Sequence, residues 1–420
     1  MRRRTVLLLT ATTVSAGVAG CVDDDNGDDD NGDDSGTGTV EGGDSDEQEG
    51  AGGDGGEETE TADTDDTGTE EDAAAFTITD PWSTYAYDWA NTSYNTNATG
   101  VEETPDEVWR FKGDGAFRRP PIAVEDTVYA IARDDAIYAF DVVTGQVRWE
   151  RPIVGESVTP TFANGRVLYG DEQGVYALDA ATGAEQWTRT DDSGWFGSPL
   201  VIDDDVYINT TTGTFYALDV NTGETRWTVP DTTLTTTNPA YVDETLYLAQ
   251  GSVLQSVSTT EPDPEREEMF DASDTLHPAT VLGESIYLTT RGGTVFGLDR
   301  DGTERWQVSL GDDVAISPTT DGQRLFVATE EGVVHSLDPD DGSEDWTTDL
   351  DEAVHGELAL SLQDIYVAAG PHLYALSALS GEENWSIETG FSESHGGPVV
   401  TEETLFLGGD WFSESFAVFR

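Results

Sequence analysis

The chain has one cysteine, two methionines and a single lysine among its 420 residues. With Cys21 as its only sulfhydryl it can form no intrachain disulfide framework. Lysine is reduced to Lys112, and 19 basic residues in all stand against 85 acidic ones, a formal net charge of −66. Phosphate recognition needs a basic patch, so this balance excludes nucleic acid as a partner. Hydrophobic residues make up only 36 %. Beyond the N-terminal segment no stretch is long and apolar enough to span a bilayer, and no segment keeps a sustained helical period.

The acids are distributed in two ways. Residues 22–72 carry 23 Asp and Glu with no Lys or Arg and almost no apolar side chains. Such a segment cannot bury enough surface to offset its ordering entropy, and self-repulsion extends it, so 21–72 is expected to be a disordered acidic tether. Residues 73–420 still hold 62 acids against 16 Lys and Arg. Unscreened repulsion of this kind opposes compaction, whereas at molar salt the Debye length falls to about 3 Å and most of it vanishes. The composition therefore predicts a halophilic protein, with an acidic calcium-binding secreted protein as the alternative.

Cys21 has a positional explanation. Arg2-Arg3-Arg4 forms a positive head, Thr5 to Ala19 an apolar and small-residue run, and Val18-Ala19-Gly20-Cys21 closes it. This pattern reads as a signal peptide over 1–20, too short for a membrane span, ending in a lipobox-like motif. The paired arginines resemble a twin-arginine export signal. Cys21 is expected to carry the lipid, which places the chain on the extracellular face of the cytoplasmic membrane.

From residue 107 onward tryptophan marks a register. Trp109, Trp149, Trp187 and Trp227 are 40, 38 and 40 residues apart, and Trp306, Trp346 and Trp385 continue at 40 and 39. The 79-residue gap between Trp227 and Trp306 is two periods, with Phe270 taken as the missing marker. Each period repeats one grammar: a strand such as Val167-Leu168-Tyr169-Gly170, a second such as Val175-Tyr176-Ala177-Leu178-Asp179, a tight turn through Thr182-Gly183, and a strand around Trp187. Short β-branched and aromatic runs punctuated by Asp and Gly, about four per period, predict an all-β fold of four-stranded antiparallel blades. Trp109 lacks three strands before it, and the last unit, Pro398 to Phe419, supplies three strands without a Trp strand. Pairing the termini makes one shared blade, so 107–420 is expected to be a closed eight-bladed β-propeller without an open edge. Residues 73–106 precede it as an extended lead-in.

The Tyr-Ala-Leu-Asp, Thr-Gly and Trp pattern resembles the tryptophan-docking repeat of pyrroloquinoline-quinone (PQQ)-like eight-bladed propellers. Similar repeats occur in bacterial outer-membrane-assembly lipoproteins and in quinoprotein alcohol dehydrogenases. With the lead-in motifs Pro81-Trp82-Ser83, Asp88-Trp89-Ala90-Asn91-Thr92 and Tyr94-Asn95, the whole chain looks like the haloarchaeal PQQ-like repeat lipoproteins. The resemblance implies that Trp109, Trp149, Trp187, Trp227, Trp306, Trp346 and Trp385 are structural docking residues between blades. It also raises a quinoprotein oxidoreductase holding PQQ and calcium. That branch uses adjacent cysteines, a Glu, Asn and Asp calcium set and large loop insertions. Here the one cysteine is committed at position 21, the set has no matching positions, and the periods stay near forty residues. No catalytic residue and no cofactor are expected, PQQ with calcium remaining the alternative.

No metal site is expected either. Asp299-Arg300-Asp301-Gly302 and Asp338-Pro339-Asp340-Asp341-Gly342 have calcium-loop-like spacing, but both fall on the repeat's own turn, where Asp makes a local Asx turn. One constellation stands out. Alignment on Pro160, Pro199, Pro239, Pro318 and Pro398 puts the residues before each innermost strand in one column, facing one mouth of the channel. His355 and His395 are equivalent in blades 7 and 8, Arg118 shares their column in blade 1 with Arg119 beside it, and His277 lies one place along in blade 5. Trp195 and Phe196 mark blade 3. Blades 7, 8 and 1 are consecutive, so these side chains are expected to converge as a binding site for a small anion or an acidic peptide. Asn91, Asn97, Asn209 and Asn384 begin Asn-x-Ser/Thr sequons, the first two expected to be the more accessible. The functional expectation is a noncatalytic, membrane-anchored scaffold for a protein or envelope component.

Overall fold

A computed structural model describes residues 77–133, 136–155, 158–190, 194–230, 238–410 and 412–420. The segments expected to be a signal peptide and an acidic tether, with Cys21, lie outside the described residues. Strands, turns and loops make up all of them, with no helix among them. The strands form eight antiparallel sheets, and the blades run in chain order. In blade 2, for example, Thr161–Ala163 is innermost, Arg166–Gly170 and Gly174–Asp179 follow, and Glu185–Thr190 is outermost.

The sequence pattern explains the layering. The two central strands of a blade are sandwiched between neighbouring blades, so they read as near-continuous apolar runs. Val167, Leu168, Tyr169, Val175, Ala177 and Leu178 are all essentially fully buried. The outer strand covers only one side, and Glu185–Thr190 accordingly alternates in burial around Trp187. Antiparallel order puts the connections between blades and the turns between the two central strands on one face, and the Asp/Thr-Gly turns on the other.

Ring closure follows the predicted route. Strand Glu107–Lys112 pairs with the C-terminal strand Ser415–Phe419, setting Trp109 opposite Val418 and Phe111 opposite Phe416. One blade is thereby built from both ends of the chain, and no sheet edge is left between first and last units.

The tryptophans dock forward. The Trp149 indole N–H donates to the Ala180 carbonyl in the next blade at 2.9 Å, and Trp187 and Trp306 do the same to Val220 and Pro339 at 2.8 and 3.1 Å. Each ring lies on the turn glycine of that next blade: a Cβ on Gly183 would stand 2.7 Å from Trp149, and one on Gly223 2.6 Å from Trp187. These glycines also have φ near +70°, so only glycine suits both the turn and the ring above it. Trp385 closes the series on the lead-in, donating to the Val101 carbonyl at 2.7 Å. The Asp residues of the turns are spent locally, Asp141 Oδ1 accepting from the Val143 and Thr144 amides and Asp338 Oδ1 from the Asp340 amide.

Blade 4 corrects one assignment. Its four strands are complete, but the register places Glu267 opposite Ser256, where Trp227 faces Ala217 in blade 3. Glu267 lies 40 residues after Trp227 but is exposed, and Met269 is the residue that lies against Gly302, the turn glycine of blade 5. Phe270 pairs instead with Leu254 and packs edge-on against Phe296 of blade 5, centroids 5.1 Å apart.

The lead-in is not loose. Strand Ile78–Trp82 adds to the innermost strand of blade 1. The chain then follows the inner wall, its Ser83, Trp89, Ala90, Thr92 and Ser93 carbonyls accepting from the amides of Phe162, Tyr241, Val281, Thr320 and Leu360. These are innermost-strand residues of blades 2, 4, 5, 6 and 7, so the segment lines the channel from within. Asn91 is consequently buried, its amide donating to the Asn238 and Ala279 carbonyls. The expected accessibility fails for Asn91 alone: Asn97 is exposed, and so is Asn384.

Candidate functional site

The connections between blades 6 and 7, 7 and 8, and 8 and 1 bring the predicted side chains together. His355-Gly356 and His395-Gly396-Gly397 are equivalent loop segments, and their glycines let the backbones touch. A Cβ on Gly356 would lie 2.4 Å from the Gly397 nitrogen, and one on Gly396 3.0 Å from the Arg119 backbone. This close approach sets the His355 and His395 rings nearly parallel, 4.9 Å apart. They border a cavity of about 360 Å³ together with Arg119, His277 and Glu357.

The electrostatics differ from a simple cationic ring. His395 has its pKa lowered, first by burial and then by the charges of Arg118 and His355. His277 is lowered by burial as well, and its Nε2 sits 2.9 Å from the Val314 carbonyl, tying blade 5 to the loop that leads into blade 6. Both rings are therefore neutral near pH 7, and the fixed positive charge of the mouth comes from Arg118 and Arg119. Arg118 is half-buried beside His395, and Arg119 is exposed along the cavity. Of the two aromatic markers, Trp195 stays exposed at the rim, whereas Phe196 is buried and packs against Tyr216 as core.

Two residues outside the predicted set complete the cavity. Tyr85, carried in by the lead-in, donates its hydroxyl to Glu357 Oε1 at 2.5 Å. Glu357 Oε2 is shut off from solvent. Burial pushes the Glu357 carboxyl up to about 7, against the opposing pull of the Tyr85 hydroxyl, the Ser317 amide and the Arg119 charge. Tyr85 in turn is raised, by burial first and by Glu357 second. Glu357 follows His355 by two residues in the same column. Tyr85 belongs to a segment without repeat register, and nothing in the sequence points it at this cavity.

The lining does not fit a quinone cofactor. Among the described lining residues Glu357 is the one carboxylate, and the Tyr85 hydroxyl already donates to it. The calcium that accompanies such a quinone therefore finds no free set of carboxylates there.

The family described as outer membrane protein assembly factor BamB matches residues 90–159, 151–261 and 276–411. The protein of that name from Bordetella pertussis is 32 % identical over 111 residues, covering 26 % of this chain and 28 % of the relative. The chain matches less than a third of the length of the curated relatives. Among solved structures, BamB from Moraxella catarrhalis superposes with a TM-score of 0.61 at 18 % identity, over 76 % of this chain and all of the other. Quinohemoprotein alcohol dehydrogenase from Comamonas testosteroni gives 0.67 at 13 % identity, over 83 % and 81 %. Both likenesses establish the shared propeller and nothing finer.

Proposed function

The chain belongs to the outer membrane protein assembly factor BamB family of PQQ-like repeat propellers, and from that membership we propose that it is a noncatalytic scaffold that binds a protein partner at the channel mouth. One observation carries this reading: in a chain of net charge −66, Arg119 and three histidines from four blades line one cavity, with Arg118 beside His395, while the lead-in lines the channel behind it. Arginine and imidazole side chains together make hydrogen-bond donors for carboxylates, which suits an acidic segment of a partner. The relatives' name, assembly factor, describes work done with other proteins. In the same reading Cys21 carries a lipid, residues 22–72 act as a spacer, and the propeller stands outside the cytoplasmic membrane. No chemistry is performed, so purified protein is expected to show neither quinone absorbance nor dye-linked alcohol oxidation.

The experiment is crosslinking in native membranes at high salt, identification of the captured protein, and its titration against purified propeller. Replacing Arg118, His355 and His395 together by Ala is expected to abolish that binding. Unchanged affinity would refute the assignment of the mouth.

A further inference from the structure

The stacked histidines have a third neighbour. Glu393 lies two residues before His395 on the same loop, its Oε2 3.8 Å from His395 Nε2. One ligand atom from each of His355, Glu393 and His395 falls within 4.8 Å of the others. We propose that these three side chains form a binding site for a divalent transition metal of the zinc class, on the rim of the channel mouth. This departs from the sequence reading, which placed no metal on the chain, and it does not rest on the scaffold proposal.

The chemistry of the set supports it. Two imidazoles and one carboxylate are the donors that zinc accepts, and three protein ligands leave a fourth position open to water or an incoming carboxylate. Zinc–ligand distances of about 2.0–2.2 Å put tetrahedral neighbours roughly 3.5 Å apart. The present spread must therefore tighten by about an ångström. Rotation of the exposed Glu393 side chain can bring its carboxylate in, and the His355 and His395 rings, now nearly parallel, must turn so that one nitrogen of each faces the same point. His395 Nδ1 is shut off from solvent without a hydrogen-bond partner, which leaves Nε2, beside Glu393, as the ring atom for a metal. Arg118 opposes a cation here, and the Glu393 carboxylate offsets it. The other two His–carboxylate pairs, His335 with Glu344 and His372 with Glu352, each offer one imidazole and serve as internal controls.

The test is equilibrium dialysis of the purified chain with zinc, in molar NaCl and excess calcium to mask the many surface carboxylates, without any partner present. Cobalt(II) is titrated in parallel for its visible absorption. The expected result is one tight zinc per chain and a cobalt spectrum of low coordination number. Outer-shell partners of a metal are already worth 10–100-fold in affinity. Loss of a ligand is therefore expected to cost about 100-fold for His355→Ala or His395→Ala, and about 10-fold for Glu393→Gln. His372→Ala should change nothing. His355→Gln and His395→Gln, which preserve size, are run alongside to separate loss of a ligand from loss of fold. Native zinc affinity in the His355 or His395 variants, or loss of the zinc in His372→Ala, would overturn the site. Neither outcome touches the partner-binding reading, which is measured separately.

Discussion

Glu357→Gln should gain stability relative to the native chain as pH rises from 5 to 8. The Glu357 carboxyl titrates near 7 in the folded chain against an ordinary value of 4.5, chiefly because it is buried. A carboxyl raised on folding is held protonated by the native state, so the native state is penalised as pH climbs from about 4.5 through about 7. The full gap amounts to about 3 kcal/mol, of which less than 1 is felt at pH 5. Between pH 5 and pH 8 the variant should therefore gain about 2–3 kcal/mol relative to the native chain. Gln keeps one oxygen for two donors, the Tyr85 hydroxyl and the Ser317 amide. That mismatch shifts both ends of the pH series equally and leaves the slope intact. The assay is urea unfolding followed by tryptophan fluorescence at fixed high salt across this range. A stability difference that does not vary with pH would refute the buried, proton-holding role of Glu357.

Three further outcomes follow from the fold. Trp187 is 8 % exposed and hydrogen-bonded into blade 3, so Trp187→Ala should cost about 3–5 kcal/mol in the same unfolding assay, and a loss under about 1 kcal/mol would contradict docking as its role. Removing residues up to 113 deletes strand Glu107–Lys112 and leaves blade 8 with three strands; gel filtration should show association through the freed edge, and a monomer of native melting temperature would count against terminal closure. The melting temperature of the intact protein should rise steeply between about 0.1 and 3 M NaCl as repulsion among surface acids is screened, and a flat profile would remove the halophilic reading.

The ring was legible in the sequence because each blade must present one Trp, one Asp and one turn Gly at fixed places, and because the half-units at the two ends have no other use. Blade 4 shows how that legibility fails. Within the two-period gap Phe270 stands out as the aromatic, while simple spacing points to Glu267, the residue that the register places opposite Ser256. The column holding Arg118, His355 and His395 could be read because equivalent loops occupy equivalent places around a ring. Their charge state could not, since it depends on burial and on one another. The lead-in was opaque for the opposite reason. Without a repeat there is no register, so nothing marked Asn91 as buried or aimed Tyr85 at Glu357, and Glu393 looked like one more surface acid until its loop was placed.

Site-specific photo-crosslinking tests the central claim most directly. Ser392 lies exposed on the loop carrying His395, and Leu379, 70 % exposed, lies on a turn of the opposite face. With a photoreactive residue at each position in turn, in membranes kept at high salt, the account predicts a discrete protein adduct from position 392. That adduct should be lost when Arg118, His355 and His395 are replaced by Ala, and position 379 should give none. An adduct from position 379 alone, or one from 392 that survives the triple replacement, would contradict it.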